Sequence, residues 1–274
     1  MGEWDIDGVE LDAYFERIGY DGPREPTKAV LTALQRAHTG TIPFENLDIL
    51  LGRSIEVDVP ALQDKLVTRR RGGYCFEHNM LFSAVLETLG FQVRRLLGRV
   101  RMGHDEYWAR THMTLVITVD GQEWLADTGF GGNGLREPIP FAETELEQDG
   151  RKLSLVRHDD PQWILRVARP TGWFDLYGFD EFPQHPIDVM VGNHYTSTSP
   201  RSPFTKRFVV ERQQDGTCRT LAGRTLTLTG PDGEVTERPI PLEDLGTLLA
   251  TDYGIDLSPE ELAGVRAAAE KVGR

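Results

Sequence analysis

The amino-acid sequence predicts an α+β protein in which helices come first, antiparallel strands fill the middle, and both kinds of element alternate toward the end. Through the first ninety residues, apolar side chains recur every three or four positions, as in amphipathic helices. β-Branched and aromatic residues then dominate short segments separated by turn dipeptides. Beyond Pro186 the two patterns are interleaved with prolines and glycines.

Local signals mark the ends of the helices predicted in the first third. Thr27 is a good N-cap, Gly40 is expected to end the helix that Thr27 starts, and Pro60 suits a first helical turn. Gly90 is expected to stop the helix that begins at Cys75, and the apolar side of that helix predicts a central position. The predicted spans are 11–18, 28–38, 60–66 and 75–89.

The middle third is typical of a small antiparallel barrel or sheet. Asp120-Gly121 is a strong hairpin turn, and it separates two segments rich in β-branched residues. Strands are predicted at 91–100, 111–119, 122–126, 152–156, 163–167 and 173–177. The last third is predicted to contain a helix near 187–195, strands near 208–211 and 225–229, and helices at 242–253 and 259–272.

Composition excludes several classes of function. The 274 residues carry 30 basic and 43 acidic side chains, a formal charge of −13, which disfavours broad binding to nucleic acid or anionic lipid. No apolar run reaches the ~18 residues that span a bilayer, and the acidic N-terminus is unlike a signal peptide. The two cysteines favour free thiols, so we expect a cytoplasmic protein.

Cys75 is the candidate nucleophile. It follows the Gly72-Gly73 turn and begins a helix, where exposed amides and the helix dipole stabilise a thiolate. A lone cysteine is most often a buried structural residue. The neighbouring arginines, the two glycines and the helix start favour a nucleophile instead.

A thiol nucleophile needs a base, and His112 is the candidate among seven histidines. It begins a predicted strand, and Asp127 ends the next one. The two strands are joined by a hairpin that turns near Asp120-Gly121. If the hairpin is symmetric about the midpoint between residues 119 and 120, residues 112 and 127 lie directly opposite each other. Asp127 would then orient the imidazole, as the third member of a triad does. The alternative is a His–Asp pair that only supports the sheet.

The other histidines and the second cysteine are weaker candidates. His78 lies about one helical turn beyond Cys75, but we expect it to pack or form hydrogen bonds within the first domain. Cys218 is expected in a strand as a small apolar residue. No metal site is expected, because neither the cysteine count nor any histidine spacing suggests one.

Four short motifs stand out along the chain: Thr41–Leu47, Arg70–Asn79, Thr111–His112 and Asp127–Gly132. Together they resemble the motifs of the arylamine N-acetyltransferases. They occur in the family's order and at similar spacing, and the similarity runs from about Leu11 to about Phe204.

The resemblance, which is to the bacterial type, implies a three-part fold around a cysteine-protease-like catalytic core. Residues 1–90 would form a helical bundle bearing the cysteine, 91–195 a β-barrel bearing the histidine and aspartate, and 196–274 an α/β lid. It also implies that acetyl-CoA acetylates the cysteine, which then passes the acetyl group to an arylamine or hydrazine. The residues it assigns are Cys75, His112 and Asp127 for catalysis, Phe44, Thr111, Phe130 and Phe204 for substrate, and Gly129, Gly131 and Gly132 for the cofactor.

Some expectations stay open at this point. An ion pair between Cys75 and His112 is expected in the resting enzyme. The segments Asn133–Pro138 and Met102–Arg110 depart from the family pattern and are expected to shape the cleft. A thiol hydrolase or acyl transferase acting on peptides is the main alternative, and a non-catalytic binding module is a second. A monomer or a small homo-oligomer is expected.

Overall fold

The structure is a computed structural model that describes residues 3–104, 108–158, 162–214, 216–230 and 234–272. The α-helices of this part of the chain are α1 Leu11–Ile18, α2 Lys28–Thr41, α3 Leu47–Leu50, α4 Val59–Leu62, α5 Cys75–Thr88, α6 Pro186–Thr198, α7 Leu245–Tyr253 and α8 Pro259–Val272. The first strands are β1 Phe44–Glu45, β2 Gln92–Val100, β3 His112–Val119, β4 Gln122–Ala126, β5 Ile139–Pro140 and β6 Thr144–Gln148. The remaining strands are β7 Arg151–Arg157, β8 Trp163–Arg169, β9 Gly172–Phe179, β10 Val209–Gln214, β11 Thr217–Ala222, β12 Thr225–Thr229 and β13 Val235–Pro239.

The predicted helix starts are confirmed more often than the predicted helix ends. The Thr27 hydroxyl accepts a hydrogen bond from the Val30 amide at 3.3 Å, as an N-cap does. The prediction that Gly40 ends α2 is wrong, because the helix continues to Thr41. The predicted helix 60–66 is also wrong in part, since α4 gives way to a π-helical turn over Gln63–Thr68.

Helix α5 is the centre of the N-terminal part. Its residues are buried from Cys75 to Leu86, and α1, α2 and strand β3 contribute to the same apolar cluster. Burial on all sides fits the low polarity of the segment, whose charged residue Glu77 is itself paired with Lys65. The catalytic candidate Cys75 therefore sits at the start of the least exposed helix of the bundle.

The middle third forms one antiparallel, barrel-like sheet. Its strand order is β5-β4-β3-β2-β9-β8-β7-β6. Leucines, valines and aromatic residues from seven of these strands meet in a single cluster that the sheet surrounds. The predicted α+β class with a central antiparallel barrel is confirmed.

The hairpin between β3 and β4 corrects the predicted register. Asp120 and Gly121 both have positive φ, 51° and 74°, and Val119 pairs with Gln122. The hairpin is therefore centred on its turn and not one residue earlier. Continued beyond the ladder, this register moves Asp127 two residues away from the position opposite His112. A shift of two residues keeps both side chains on the same face.

The C-terminal part pairs with the N-terminal part through a second sheet, of order β1-β10-β11-β12-β13. Phe44 of β1 lies opposite Glu211 of β10 in this sheet. Helices α7 and α8 pack on its other residues through a separate apolar cluster. The division at 90 and 195 stays a prediction. In the part of the chain that the structure describes, no helix has the length and apolar character needed to cross a bilayer.

Candidate active site

Cys75 is the first residue of α5 and is 3% exposed. The Glu77 carboxylate accepts a hydrogen bond from the Tyr74 amide at 3.0 Å and fixes the chain just before the cysteine. The Cys75 thiol donates a hydrogen bond to the Thr111 carbonyl oxygen at 3.4 Å. This contact brings the helix start against the residue that precedes His112.

Two opposing effects act on the thiol. Burial, followed by the negative charge of Asp127, raises the pKa of Cys75, while the backbone amides of Met113 and Phe76 lower it. The upward direction prevails, which differs from the low thiol pKa expected from the helix start alone. A thiolate therefore needs a proton acceptor inside the site. Transfer to His112 leaves the total charge of the three side chains unchanged.

His112 and Asp127 form a buried pair. His112 Nε2 lies 2.6 Å from Asp127 Oδ2, and the two residues are 2% and 1% exposed. Burial opposes ionisation of the carboxyl group, but the neighbouring His112, Asn79 and the Gly129 amide outweigh it and lower the pKa of Asp127. The Asp127 carboxylate is thus suited to hold the imidazole with Nδ1 free for another partner.

Asn79 is a part of the site that sequence reasoning did not single out. Its amide nitrogen donates to Asp127 Oδ1 at 2.9 Å and to the Met113 carbonyl oxygen at 2.7 Å. Its oxygen accepts hydrogen bonds from the amide and the hydroxyl of Thr128 at 3.0 and 3.1 Å. One turn of α5 separates Asn79 from Cys75, so this side chain sets the distance between the nucleophile's helix and the aspartate.

Aromatic residues and glycines border the pair. Phe44, Phe130, Gly131 and Gly132 line one cavity together with Asp127. The ring of Phe130 meets His112 edge-on, with centroids 5.0 Å apart. The ring of Phe204 packs against that of Phe44, with centroids 5.8 Å apart, but Phe204 is not among the residues that line this cavity. Thr111 does not line it either, and its carbonyl oxygen accepts the hydrogen bond of the thiol.

The segment after Asp127 needs glycine for reasons internal to the fold. A side chain at Gly129 would come within 2.6 Å of the Cys75 Cα atom, so this glycine lets the segment after β4 approach α5. Gly131 has a φ of 78°, and a side chain there would meet Glu211. Glu211 Oε2 accepts the Gly132 amide hydrogen bond at 2.8 Å, so the C-terminal sheet holds this loop.

The segments that depart from the family pattern contact the site to different degrees. Gly134 and Leu135 line the cavity, and the Gln35 amide nitrogen binds the Leu135 carbonyl oxygen at 3.2 Å. Residues 105–107 of the second segment lie outside the described residues. The segment Asn133–Pro138 thus contributes to the shape of the cleft.

The rival side chains lie elsewhere. His78 is buried against His38, with their nitrogens 2.8 Å apart, and its packing within the first domain is confirmed. Cys218 lies in β11, as expected, and burial raises its pKa to about 11. Among the described residues, no three His, Cys, Asp or Glu side chains are grouped as a metal site requires.

Comparison with known proteins agrees with this arrangement. A family model described as N-acetyltransferase matches residues 27–262. An arylamine N-acetyltransferase / N-hydroxyarylamine O-acetyltransferase of Salmonella typhimurium is 36% identical over 268 residues, covering 94% of this chain and 95% of that protein.

Solved structures give the same result. The Nocardia farcinica arylamine N-acetyltransferase superposes with a TM-score of 0.93 at 39% identity, over 99% of this chain and 98% of that one. The Mycobacterium marinum arylamine N-acetyltransferase in complex with CoA gives 0.90 at 33% identity, over 96% and 99%. With its barrel-like sheet and its buried Cys75 next to a His112–Asp127 pair, the chain belongs to the arylamine N-acetyltransferase family.

Proposed function

We propose that this enzyme transfers an acetyl group from acetyl-CoA to arylamines, arylhydrazines and hydrazides by a ping-pong mechanism through acetyl-Cys75. The observation that carries the proposal is the buried His112–Asp127 pair at 2.6 Å beside a cysteine that begins a helix. The S. typhimurium relative, whose name includes O-acetylation of N-hydroxyarylamines, supports that activity as a further reaction. The CoA-bound M. marinum structure supports a CoA thioester as the donor.

In the first half-reaction, His112 takes the proton of Cys75 and the sulfur attacks the thioester carbonyl carbon. The carbon–sulfur bond to CoA then breaks, and the CoA thiolate receives the proton from His112. Asp127 stays ionised and stabilises the imidazolium while the proton is held. The net result is acetyl-Cys75 and free CoA.

In the second half-reaction, the amine nitrogen attacks the acetyl carbon of Cys75. Arylamines are weakly basic and mostly neutral near pH 7, so they need no prior deprotonation. The nitrogen loses its proton to His112 as the amide forms, and the sulfur leaves and takes that proton back. Phe44, Phe130 and Phe204 are the proposed contacts of the aromatic acceptor, supported by the cavity that Phe44 and Phe130 line and by the packing of Phe204 on Phe44. Thr111 is a further proposed contact. Gly129, Gly131 and Gly132 form the proposed approach of the cofactor.

The test is acetylation of the enzyme in the absence of any amine. Purified protein is mixed with acetyl-CoA, and intact and peptide mass spectrometry locates the adduct. An arylamine such as 4-aminobenzoate is then added. We expect one acetyl group on Cys75 that the amine removes as product forms.

Two variants make the test specific. Cys75→Ser should form no acetyl-enzyme and no product. Cys218→Ser removes the other thiol, which lies in β11, and should behave as the wild type. Absence of the adduct in wild type, with Cys75 still alkylated rapidly at neutral pH, would refute the acetyl-CoA donor and favour a peptide-directed thiol enzyme.

A further inference from the structure

Three buried side chains outside the triad form a continuous hydrogen-bonded chain. The Tyr14 hydroxyl lies 2.8 Å from His38 Nδ1, and His38 Nε2 lies 2.8 Å from His78 Nδ1. His78 Nε2 then lies 3.2 Å from the carbonyl oxygen of Pro43. None of the three side chains is more than 1% exposed. The chain joins α1, α2 and α5 to the residue that precedes β1.

The last acceptor fixes the direction of every hydrogen bond. A carbonyl oxygen only accepts, so His78 Nε2 carries a hydrogen and His78 Nδ1, in the neutral ring, accepts one. His38 Nε2 must therefore donate, which leaves His38 Nδ1 as the acceptor of the Tyr14 hydroxyl hydrogen. Both rings are neutral Nε2–H tautomers. A reversed chain would set the lone pair of His78 Nε2 against the carbonyl oxygen.

The surroundings keep both rings neutral. Burial lowers the pKa of His78 to about 4. Burial, then His78 and Arg17, lower the pKa of His38. The apolar ring of Phe82 packs edge-on against His38, with ring centroids 5.5 Å apart.

The hydrogen-bonded series of side chains ends at Pro43, which lies between the cavity-lining residue Phe44 and the Gly72-Gly73 turn before Cys75. The Pro43 carbonyl oxygen also accepts the Gly73 amide hydrogen bond at 3.3 Å. Phe44, the next residue, lies nearly parallel to the His78 ring, with planes 8° apart and centroids 6.5 Å apart. Phe44 also lines the cavity that Asp127 and Phe130 border.

We propose that Tyr14, His38 and His78 are positioning residues that hold Phe44 in the acceptor cleft and so set the affinity of the acetyl-enzyme for the amine. This inference rests on the proposed acetyl transfer. It assigns these three residues, called the relay below, to the acceptor cleft and not to the triad. The relay contacts the Pro43–Phe44 segment, whereas Asn79, His112 and Asp127 are held by one another.

The experiment separates the two half-reactions in variants of the relay. Tyr14→Phe removes one hydroxyl, and His78→Leu removes both hydrogen bonds of His78. His78→Gln restores them, because its amide nitrogen donates to Pro43 and its oxygen accepts from His38. Tyr20→Phe is the matched control, since the Tyr20 hydroxyl donates to the Pro23 carbonyl oxygen on the surface. Cys75 acetylation is timed without amine, and kcat and KM are then measured with 4-aminobenzoate.

We expect Tyr14→Phe to raise the KM for the amine roughly three- to tenfold, which corresponds to the net value of one buried hydrogen bond. His78→Leu removes two hydrogen bonds and should raise this KM at least as much. The rate of Cys75 acetylation should stay within about twofold of wild type, as other elements hold the triad. His78→Gln should recover most of the loss, and Tyr20→Phe should match wild type.

An unchanged KM, or a parallel fall in the acetylation rate, would overturn the proposal while leaving the acetyl transfer itself intact. If wild type forms no acetyl-Cys75, it is the proposed function that fails. A measurement on the wild type alone guards against variants that do not fold. Long-range ¹H–¹⁵N spectra should show His38 and His78 as neutral Nε2–H tautomers from pH 6 to 8, and an Nδ1–H tautomer or an imidazolium at either would contradict the relay.

Discussion

At the scale of single residues, the candidate site combines a thiol whose burial disfavours charge with a neighbouring imidazole that is the proposed proton acceptor. Burial and Asp127 raise the pKa of Cys75, and the helix start alone does not reverse this. His112, whose Nε2 lies 2.6 Å from Asp127 Oδ2, is the proposed acceptor of the thiol proton in this environment. The resting ion pair expected from the sequence stays a prediction, and it would depend on the imidazole more than on the helix dipole.

This dependence predicts the behaviour of the thiol without its imidazole. In a Cys218→Ser background, the rate of alkylation of Cys75 by iodoacetamide is followed against pH. His112→Gln should move the midpoint to higher pH by about one unit or more, because burial raises the thiol pKa and no base remains. The unfolded chain supplies the reference value near 8.5. An unchanged midpoint would mean that backbone amides alone sustain the thiolate.

At the scale of elements, strand β10 holds the glycine-containing loop that follows Asp127 from another part of the fold. Glu211 accepts one hydrogen bond from the Gly132 amide at 2.8 Å and one from the Thr220 hydroxyl at 3.1 Å. Gln213 of the same strand donates to the Gly131 carbonyl oxygen at 2.5 Å. Burial raises the pKa of Glu211, consistent with a carboxyl group held by neutral donors.

Substitution of Glu211 should therefore disturb the loop through a lost acceptor. Glu211→Ala leaves the Gly132 amide without this partner, and we expect a loss of about 1–3 kcal/mol in the free energy of unfolding. A fall of about tenfold in kcat/KM should accompany it, as the loop that follows Asp127 loses its support. Glu211→Gln keeps an acceptor and should retain most of both.

Denaturant unfolding and steady-state kinetics of the two variants measure these effects. Equal damage in Glu211→Gln and Glu211→Ala would show that the charge of Glu211, and not its hydrogen bond to Gly132, is what the loop requires.

At the scale of the whole molecule, the buried histidines couple stability to pH. The pKa of His78 is about 4 in the folded protein and near 6.5 in an unfolded chain. Between these values the unfolded chain binds more protons than the folded one, so stability rises with pH. The stabilisation is fully present above about pH 6.5 and is lost as the pH falls toward 4.

We expect the free energy of unfolding to drop on acidification from pH 6.5 to 5, with each buried histidine contributing up to about 1.4 kcal/mol per pH unit. His78→Gln removes one of these groups and should flatten the curve. Urea unfolding at several pH values gives the slopes. Identical slopes in the two proteins would show that His78 is not buried as a neutral ring.

Much of the fold and of the candidate site could be predicted because the signals were local. The Thr27 cap, the start of α5 at Cys75 and the Asp120-Gly121 turn depend on neighbouring residues in the chain. The choice of Cys75, His112 and Asp127 followed from side-chain chemistry at the ends of such elements, and the structure brings them to one place. The hairpin register was missed because the Asp-Gly dipeptide marks a turn but does not by itself show which residues pair on either side of it. The positive φ angles of Asp120 and Gly121 and the pairing of Val119 with Gln122 fix the centre of this hairpin.

Only the tertiary structure shows which side chains from distant parts of the chain form hydrogen bonds with one another. Asn79 and Asp127 are 48 residues apart, and Glu211 and Gly132 are 79 apart. No periodicity or spacing encodes such contacts, because they depend on how α5, the barrel-like sheet and β10 pack. The candidate catalytic residues were thus named from the sequence, while packing in the folded chain decided the direction of the thiol pKa, the partners of His38 and His78 and the support of the glycine loop.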